Sequence, residues 1–336
     1  MWSCWQGWLL ARHSHKQAVA VNGRISQLEP VISGVPQGTV LGPVLFLVHI
    51  RNISQGLPLG TTSSSFADDT RVQRSTYSGT DCSALQADLQ LIYNWSEKVN
   101  MTFISEKFEC MRYWADTTKA PDYQYLGPDS KPIKVKTDLR DLGVQLSSDL
   151  SFSIHIENTV TAASRIAGWG LRTFCSRCRK VMLTILKSLV QPRLDYCSQL
   201  WSPSDQGSIN KIESIQYNLV NRIRDDKLTS LNYWEKLQEL KLYSQERRRE
   251  RYQVIFLWKI CQGLVSGYDV EFTSGGTRRG RLGVPKIVPK NCPAVVRRAR
   301  ENSLAVKGVN IFNLLPESIR TIRSQHVDYF KNHLDI

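Results

Sequence analysis

The chain has 336 residues, 41% of them hydrophobic and 22% charged, which suits one large or two modest cores and excludes a disordered or low-complexity polymer. Its net charge of +14, from 44 Lys and Arg against 30 Asp and Glu, favours a polyanionic partner, because each neutralised phosphate releases condensed counterions. A basic protein with no nucleic-acid role fits the charge alone equally well.

Met1 to Ala11 is apolar and rich in Trp, but no basic residue precedes the apolar run, so it makes a poor signal peptide. Gln17–Val21 predicts a strand, and Asn22-Gly23 predicts a tight hairpin turn, since both residues tolerate positive φ. A second strand is expected through Ile25 and Leu28 to Val31. A Gly- and Pro-rich loop, Ser33 to Gly38, leads into the apolar run Val40–Ile53, predicted as a buried helix. That run is interrupted by Gly42 and Pro43 and falls short of the roughly eighteen apolar residues that span a bilayer, as does every other run.

A polar Thr and Ser stretch then meets Phe66-Ala67-Asp68-Asp69-Thr70. Asp81–Val99 predicts an amphipathic helix, with Leu85, Leu89, Ile92, Trp95 and Val99 at helical spacing. Met101–Arg112 alternates enough to predict a strand with Lys107 inside it. Beyond Leu150 the pattern changes. Thr159 to about Asp226 reads as helical, punctuated by Pro192 and Pro203, and Tyr233–Leu264 reads as helical and basic. Ser274–Pro293 reads as a loop or linker. A short tail follows with Phe312, Leu314, Leu315 and Phe330.

Eight scattered cysteines argue against a dense secreted disulfide scaffold and for reduced thiols inside the cell. Cys175-Ser-Arg-Cys178 is the only close pair. It has no second pair or His pair at zinc spacing, so no zinc site is expected.

The pair Asp68-Asp69 carries the most chemistry. Adjacent like charges repel, which favours a turn where both carboxylates reach water or a cation. At a hairpin tip they suit a hard ion such as Mg²⁺. Phosphoryl transfer to a 3′-hydroxyl uses two such ions, one at the attacking oxygen and one at the leaving pyrophosphate. An isolated Asp-Asp is more often a cap or a solvent loop. The upstream loop Ser33-Gly34-Val35-Pro36-Gln37-Gly38-Thr39-Val40-Leu41-Gly42-Pro43 sets this one apart. Its glycines allow close backbone approach, and Gln37 can both donate and accept hydrogen bonds. Alone, that loop is equally a strand-to-helix connection.

Together these two segments resemble reverse transcriptases of non-LTR, LINE-type, Jockey-like retrotransposons. Ser33–Pro43 resembles the loop-and-helix element called motif B, and Phe66–Thr70 resembles motif C, the metal-binding hairpin. The resemblance implies Asp68 as the principal metal ligand and Asp69 as its partner. It places Gly34, Pro36, Gln37 and Gly38 at the template and incoming nucleotide. Trp95 to Lys107 resembles the region leading to motif D, which implies Lys107 as general acid for the pyrophosphate; as a bare residue it reads as an exposed strand lysine. Asp141-Leu142-Gly143-Val144 resembles the turn of the primer grip. Leu189 to Tyr196, followed by Trp201-Ser202-Pro203, resembles a helical segment of Jockey-like elements. The implied activity is RNA-directed DNA polymerisation with Mg²⁺, or Mn²⁺ in its place. The implied partners are an RNA template, a DNA primer and deoxynucleoside triphosphates, in the nucleus or cytoplasm and without a membrane. Oligomeric state is left open.

One element of the family pattern is not matched. Motif A should supply a further aspartate from an upstream strand, yet Glu29 is the only acidic residue before Asp68. The chain therefore reads as a truncated C-terminal part of such an enzyme with little or no activity alone, because losing one key electrostatic group commonly costs two to three orders of magnitude. The alternative is a non-catalytic nucleic-acid-binding relic of the same scaffold. His49-Ile50-Arg51-Asn52 also departs from the family's Tyr-Ile-Asn-Asp type sequence.

The expected fold is α+β. Residues 1–150 would form a partial polymerase palm of antiparallel strands with packed helices, 151–273 a helical thumb- or connection-like region, and 274–336 a basic linker and tail. Lys241–Lys259 carries six basic and two acidic residues. Arg247, Arg248, Arg249 and Arg251 are expected to track a nucleic-acid backbone, with Tyr243, Tyr252, Phe256 and Trp258 free to stack on bases. The alternative is an amphipathic helix with core aromatics and solvated arginines. Arg297-Arg298-Ala299-Arg300 has the same two readings.

Overall fold

The computed structural model describes residues 16–30, 38–113, 121–265, 303–324 and 326–335. They form two units, divided at Phe108 and again at Lys134, with residues 109–113 belonging to the second. Residues 135–150, expected with the front region, thus lie in the second unit.

The first unit begins with an antiparallel ribbon. Lys16–Gln17 pairs with Glu29–Pro30, and Ala20–Val21 pairs with Arg24–Ile25. The turn falls at Asn22-Gly23, with φ of 49° and 76°, as their tolerance of left-handed backbone predicts. Val31, the expected end of the second strand, lies outside the described residues.

Leu41–Ile50 is a helix. The Thr39 hydroxyl accepts from the Gly42 amide at 3.0 Å, and Pro43 sits in the first turn, where a missing N–H costs nothing. Its expected burial is corrected. Only Gly42 and Ile50 are buried, while Leu41, Val44 and Leu47 are more than half exposed. Periodicity cannot report whether a facing element exists, and among the described residues none covers this helix. Its end is also earlier than expected, since residues 51–56 are turns.

The Thr and Ser stretch, read from sequence only as polar, is a strand. Thr61–Phe66 pairs in register with Asp69–Arg74. Gly79–Lys98 is the predicted long helix, opened by a capping box of Ser78 and Asp81 and burying Cys82, Ile92 and Tyr93. The strand expected over 101–112 is also corrected. Ser105–Lys107 is a 3₁₀ turn, and of the expected span only Glu109–Met111 is a strand. Phe103 and Phe108 both turn inward against Tyr93, with ring centroids at 6.3 and 5.7 Å. Residues five apart point to opposite faces of a strand, so one extended segment could not place both there.

The second unit is mostly helical. Asp138–Asp141 and Val144–Ser147 form a hairpin whose turn, Leu142-Gly143, has φ of 45° and 86°. The helices Ser153–Thr173, Gln206–Val220, Tyr233–Glu239 and Gln245–Cys261 follow the helical zones expected from sequence. Between the first two, Arg179–Thr184 runs on through a wider π turn at Ile185–Val190 into Gln191–Asp195. Pro192 accounts for the widening, since it lacks an N–H and its ring crowds the preceding turn. The main core gathers Ala163, Met182, Leu186, Val190, Leu194, Trp201, Ile212 and Leu219.

A second core forms where Val254, Leu257 and Trp258 meet Val309, Phe312 and Phe330. The short apolar tail is therefore structural: Val309–Leu314 and Val327–Leu334 are helices, and Phe330 stacks on Trp258 at 4.7 Å. Ser274–Pro293 and Arg297 to Arg300 lie outside the described residues.

Candidate metal and nucleic-acid site

Asp68 and Asp69 stand at the tip of the Thr61–Arg74 hairpin. Phe66 and Asp69 are the last cross-strand pair, so Ala67 and Asp68 make a two-residue turn. Ala67 adopts φ +52°, a left-handed conformation that a side chain disfavours. Both carboxylates are exposed. No group of three or more His, Cys, Asp or Glu able to hold a metal occurs among the described residues. Two carboxylates nevertheless fit Mg²⁺, which commonly takes one or two from protein and completes its shell with phosphate and water.

The other end of the hairpin is fixed by a buried polar triad. Thr61 and Arg74 are its first cross-strand pair. The Thr61 hydroxyl donates to the Asp88 carboxylate at 2.5 Å. The Arg74 guanidinium donates to the same oxygen at 3.1 Å and to the Thr61 hydroxyl at 2.9 Å. Asp88 is 3% exposed and belongs to the Gly79–Lys98 helix. The hairpin is thus clamped at its base and projects its acidic tip into solvent. Halfway up, Ser63 donates to Ser54 at 2.5 Å. Nothing in the sequence singled out Asp88, because a lone Asp on a helix reads as solvent-facing.

Of the residues expected at the template and nucleotide, Gly34, Pro36 and Gln37 lie outside the described residues. Gly38 is described, with φ +77° and open space around its Cα, a backbone that favours glycine. Lys107 ends the 3₁₀ turn and is exposed.

In the second unit the Leu142-Gly143 turn is held by two contacts that sequence reasoning missed. The Tyr196 hydroxyl donates to the Leu142 carbonyl at 2.7 Å. The Gln145 amide donates to His155 Nδ1 at 3.2 Å. His155 packs edge-on against Trp201, and burial, aided by Arg140, holds it below the ordinary histidine range.

The arginines of the Gln245–Cys261 helix have distinct surroundings. Arg248 grips Asp195 through Nε at 3.3 Å and Nη2 at 2.5 Å, and it meets the Tyr252 hydroxyl at 3.1 Å. Arg251 grips Asp335 at 2.6 and 2.5 Å. Arg249 is 2% exposed, without a hydrogen-bond partner for Nε, Nη1 or Nη2 among the described residues, and burial lowers its pKa. Arg247 has the most open head, 3.7 Å from Glu250. Trp258 is fully buried, and Tyr252 and Phe256 are partly buried. No helix among the described residues is long and apolar enough to cross a membrane.

The first unit thus holds an acidic hairpin tip and a glycine-opened apolar helix, and comparison with known proteins shows what such a chain is similar to. Residues 3–133 match the family described as "Reverse transcriptase (RNA-dependent DNA polymerase)". It is similar to the RNA-directed DNA polymerase from mobile element jockey of Drosophila melanogaster, at 29% identity over 61% of this chain and 23% of that protein. The probable RNA-directed DNA polymerase from transposon X-element of the same species is 28% identical over 61% of this chain and 23% of its own length. The jockey polymerase of Drosophila funebris is 26% identical over 66% of this chain and 24% of its own length. These relatives are polymerases of non-LTR retrotransposons. The chain spans about a quarter of their length.

Proposed function

We propose that the chain supplies one side of the two-metal site of an RNA-directed DNA polymerase. The carrying observation is the exposed Asp68-Asp69 pair at a hairpin tip, inside the residues that match the family. The first unit would be part of the palm, and the helices of the second would be thumb-like. Asp68 and Asp69 would hold Mg²⁺, or Mn²⁺ in its place. When bound, such ions make a primer 3′-hydroxyl more acidic and neutralise the departing pyrophosphate.

The protein's own share is positioning and proton transfer. Gly38, with Gly34, Pro36 and Gln37 before it in the sequence, would contact the template and the incoming nucleotide. Lys107, free in solvent at the end of its turn, would donate a proton to the pyrophosphate. The Leu142-Gly143 hairpin, held by Tyr196 and His155, would steady the primer. RNA template, DNA primer and deoxynucleoside triphosphates would be the partners, in the nucleus or cytoplasm. Among the four arginines expected at a phosphate backbone, Arg247 is the best placed, since Arg248 and Arg251 are engaged by carboxylates and Arg249 is buried.

With Glu29 the only acidic residue before Asp68, we expect little incorporation by this polypeptide alone. Titration with Mn²⁺, followed by electron paramagnetic resonance, tests the ligand assignment: Asp68→Asn should weaken binding about tenfold, and unchanged binding would sink it. Primer extension on a primed RNA template tests the second expectation, and robust incorporation abolished by Asp68→Asn would overturn it. The charge of +14 favours a second reading, a non-catalytic nucleic-acid binder. That reading requires affinity that falls steeply with salt.

A further inference from the structure

Two cysteines have no part in the polymerase reading. Cys175 and Cys178 are both exposed, whereas Cys82 is buried. They lie in the irregular segment between the helices Ser153–Thr173 and Arg179–Thr184. Arg177, one of the two residues between the cysteines, is held by its side chain and by its backbone. Arg177 Nη2 donates to the Leu171 carbonyl at 2.6 Å, and the Arg177 carbonyl accepts from the Arg224 amide at 2.9 Å. This stapling holds the segment against the helical core while leaving its sulfurs in solvent. Cys178 also lines an open cleft of about 720 Å³ with Arg179, Lys180, Arg224, Asp225 and Asp226.

We propose that Cys178 and Cys175 form a thiol–disulfide exchange site that takes a low-molecular-weight disulfide, with Cys178 attacking and Cys175 resolving. Four features support it: the two-residue spacing, the shared exposure, the rigid Arg177 staple, and a cleft large enough for a small disulfide to reach Cys178. The Ser176 hydroxyl beside Cys178 holds its thiol below the ordinary range, which raises the thiolate fraction near neutral pH. Of the charged groups facing the cleft, Arg179, Lys180 and Arg224 favour that thiolate, and Asp225 and Asp226 oppose it.

The electrons balance in two exchanges. Cys178 loses its proton to solvent, and its thiolate attacks one sulfur of the disulfide. A mixed disulfide forms, and the other half leaves as a thiolate. Cys175, deprotonated in turn, attacks Sγ of Cys178 and expels the second thiolate. The cysteine pair is oxidised by two electrons, and the small disulfide is reduced by two. The ring so formed encloses Arg177 and stiffens the link between two core helices.

The test uses the full chain, oxidised glutathione and peptide mass mapping. Wild type should yield a Cys175–Cys178 peptide lighter by a pair of hydrogens, reversed by dithiothreitol. Cys175→Ser should instead accumulate a glutathione adduct on Cys178. Cys178→Ser should leave Cys175 reacting about tenfold more slowly than Cys178 does in the Cys175→Ser chain. Either an unmodified Cys178 or a mixed disulfide that persists in the wild type would overturn the proposal. So would equal reaction rates of the two single variants.

Discussion

Removing the Asp88 carboxylate tests whether the acidic tip is held from its base. In Asp88→Ala the Arg74 guanidinium and the Thr61 hydroxyl lose a shared acceptor at 3.1 and 2.5 Å. A hydrogen bond to a charged group contributes about 1.5–3 kcal/mol, and breaking a fully buried pair costs about 3–5 kcal/mol. The Arg74 side chain retains 18% exposure, and its bond to Thr61 survives, so part of the stranded charge is relieved by water. The expected loss is about 2–3 kcal/mol. Asp88→Asn keeps the shape and one acceptor and should cost about 1–2 kcal/mol. Arg74→Met should cost at least as much as Asp88→Ala, because it leaves the carboxylate buried with Thr61 alone.

The hairpin acts as a lever. From Thr61 to Phe66 it extends about 17 Å at ~3.3 Å per residue, so a tilt of about 5° at the base moves the tip by about 1.5 Å. The local pairing of Asp68 with Asp69 is untouched by such a tilt. Mn²⁺ affinity at the tip should therefore persist while amide exchange from Thr62 to Arg74 accelerates. Equilibrium urea unfolding and hydrogen exchange measure the two effects. A change under about 0.5 kcal/mol in Asp88→Ala, with hairpin protection intact, would refute the clamp.

His155 gives a pH test. Its folded pKa is depressed by burial, so below about pH 6.5 the unfolded chain binds a proton that the folded chain resists. Its contribution is complete above that pH and is lost as pH falls through the lower folded value; the acid-side loss in thermal melts should be smaller for His155→Asn. Gly143→Ala adds a Cβ 3.3 Å from Tyr196 Cε1 at φ +86°, and denaturant titration should show a loss of about 1–2 kcal/mol. That loss should be less than additive with Tyr196→Phe, which releases the same turn. Ala67→Gly relieves a left-handed turn residue and should gain about 0.5–1 kcal/mol by the same titration.

What was legible in the sequence was local. Asn22-Gly23 announced its turn because few other pairs tolerate that backbone. Gly79–Lys98 announced itself through the helical spacing of its apolar residues. The features that escaped depend on distant partners. The Leu41–Ile50 helix looked buried because its residues are apolar, but burial is a property of the pair of surfaces. The stretch after Asn100 looked like a strand until two phenylalanines were needed on one side of Tyr93.

The same logic governs the basic helix, where charge in the sequence and charge at the surface diverge. Four arginines within five positions suggest a phosphate track, yet the acceptor of Arg248 is Asp195, 53 residues upstream, and that of Arg251 is Asp335, 84 residues downstream. Each of these carboxylates turns a phosphate-binding group into a tie within the helical unit. Polyanion affinity should then respond unequally to single substitutions. Arg247→Ala should weaken it and flatten its salt dependence by about one counterion. Arg248→Ala and Arg251→Ala should act mainly through stability, by releasing Asp195 and Asp335. Filter binding at several salt concentrations, set beside urea unfolding of each variant, separates the two effects. Equal losses of affinity from all three, at unchanged stability, would show that the ion pairs open to admit a phosphate backbone.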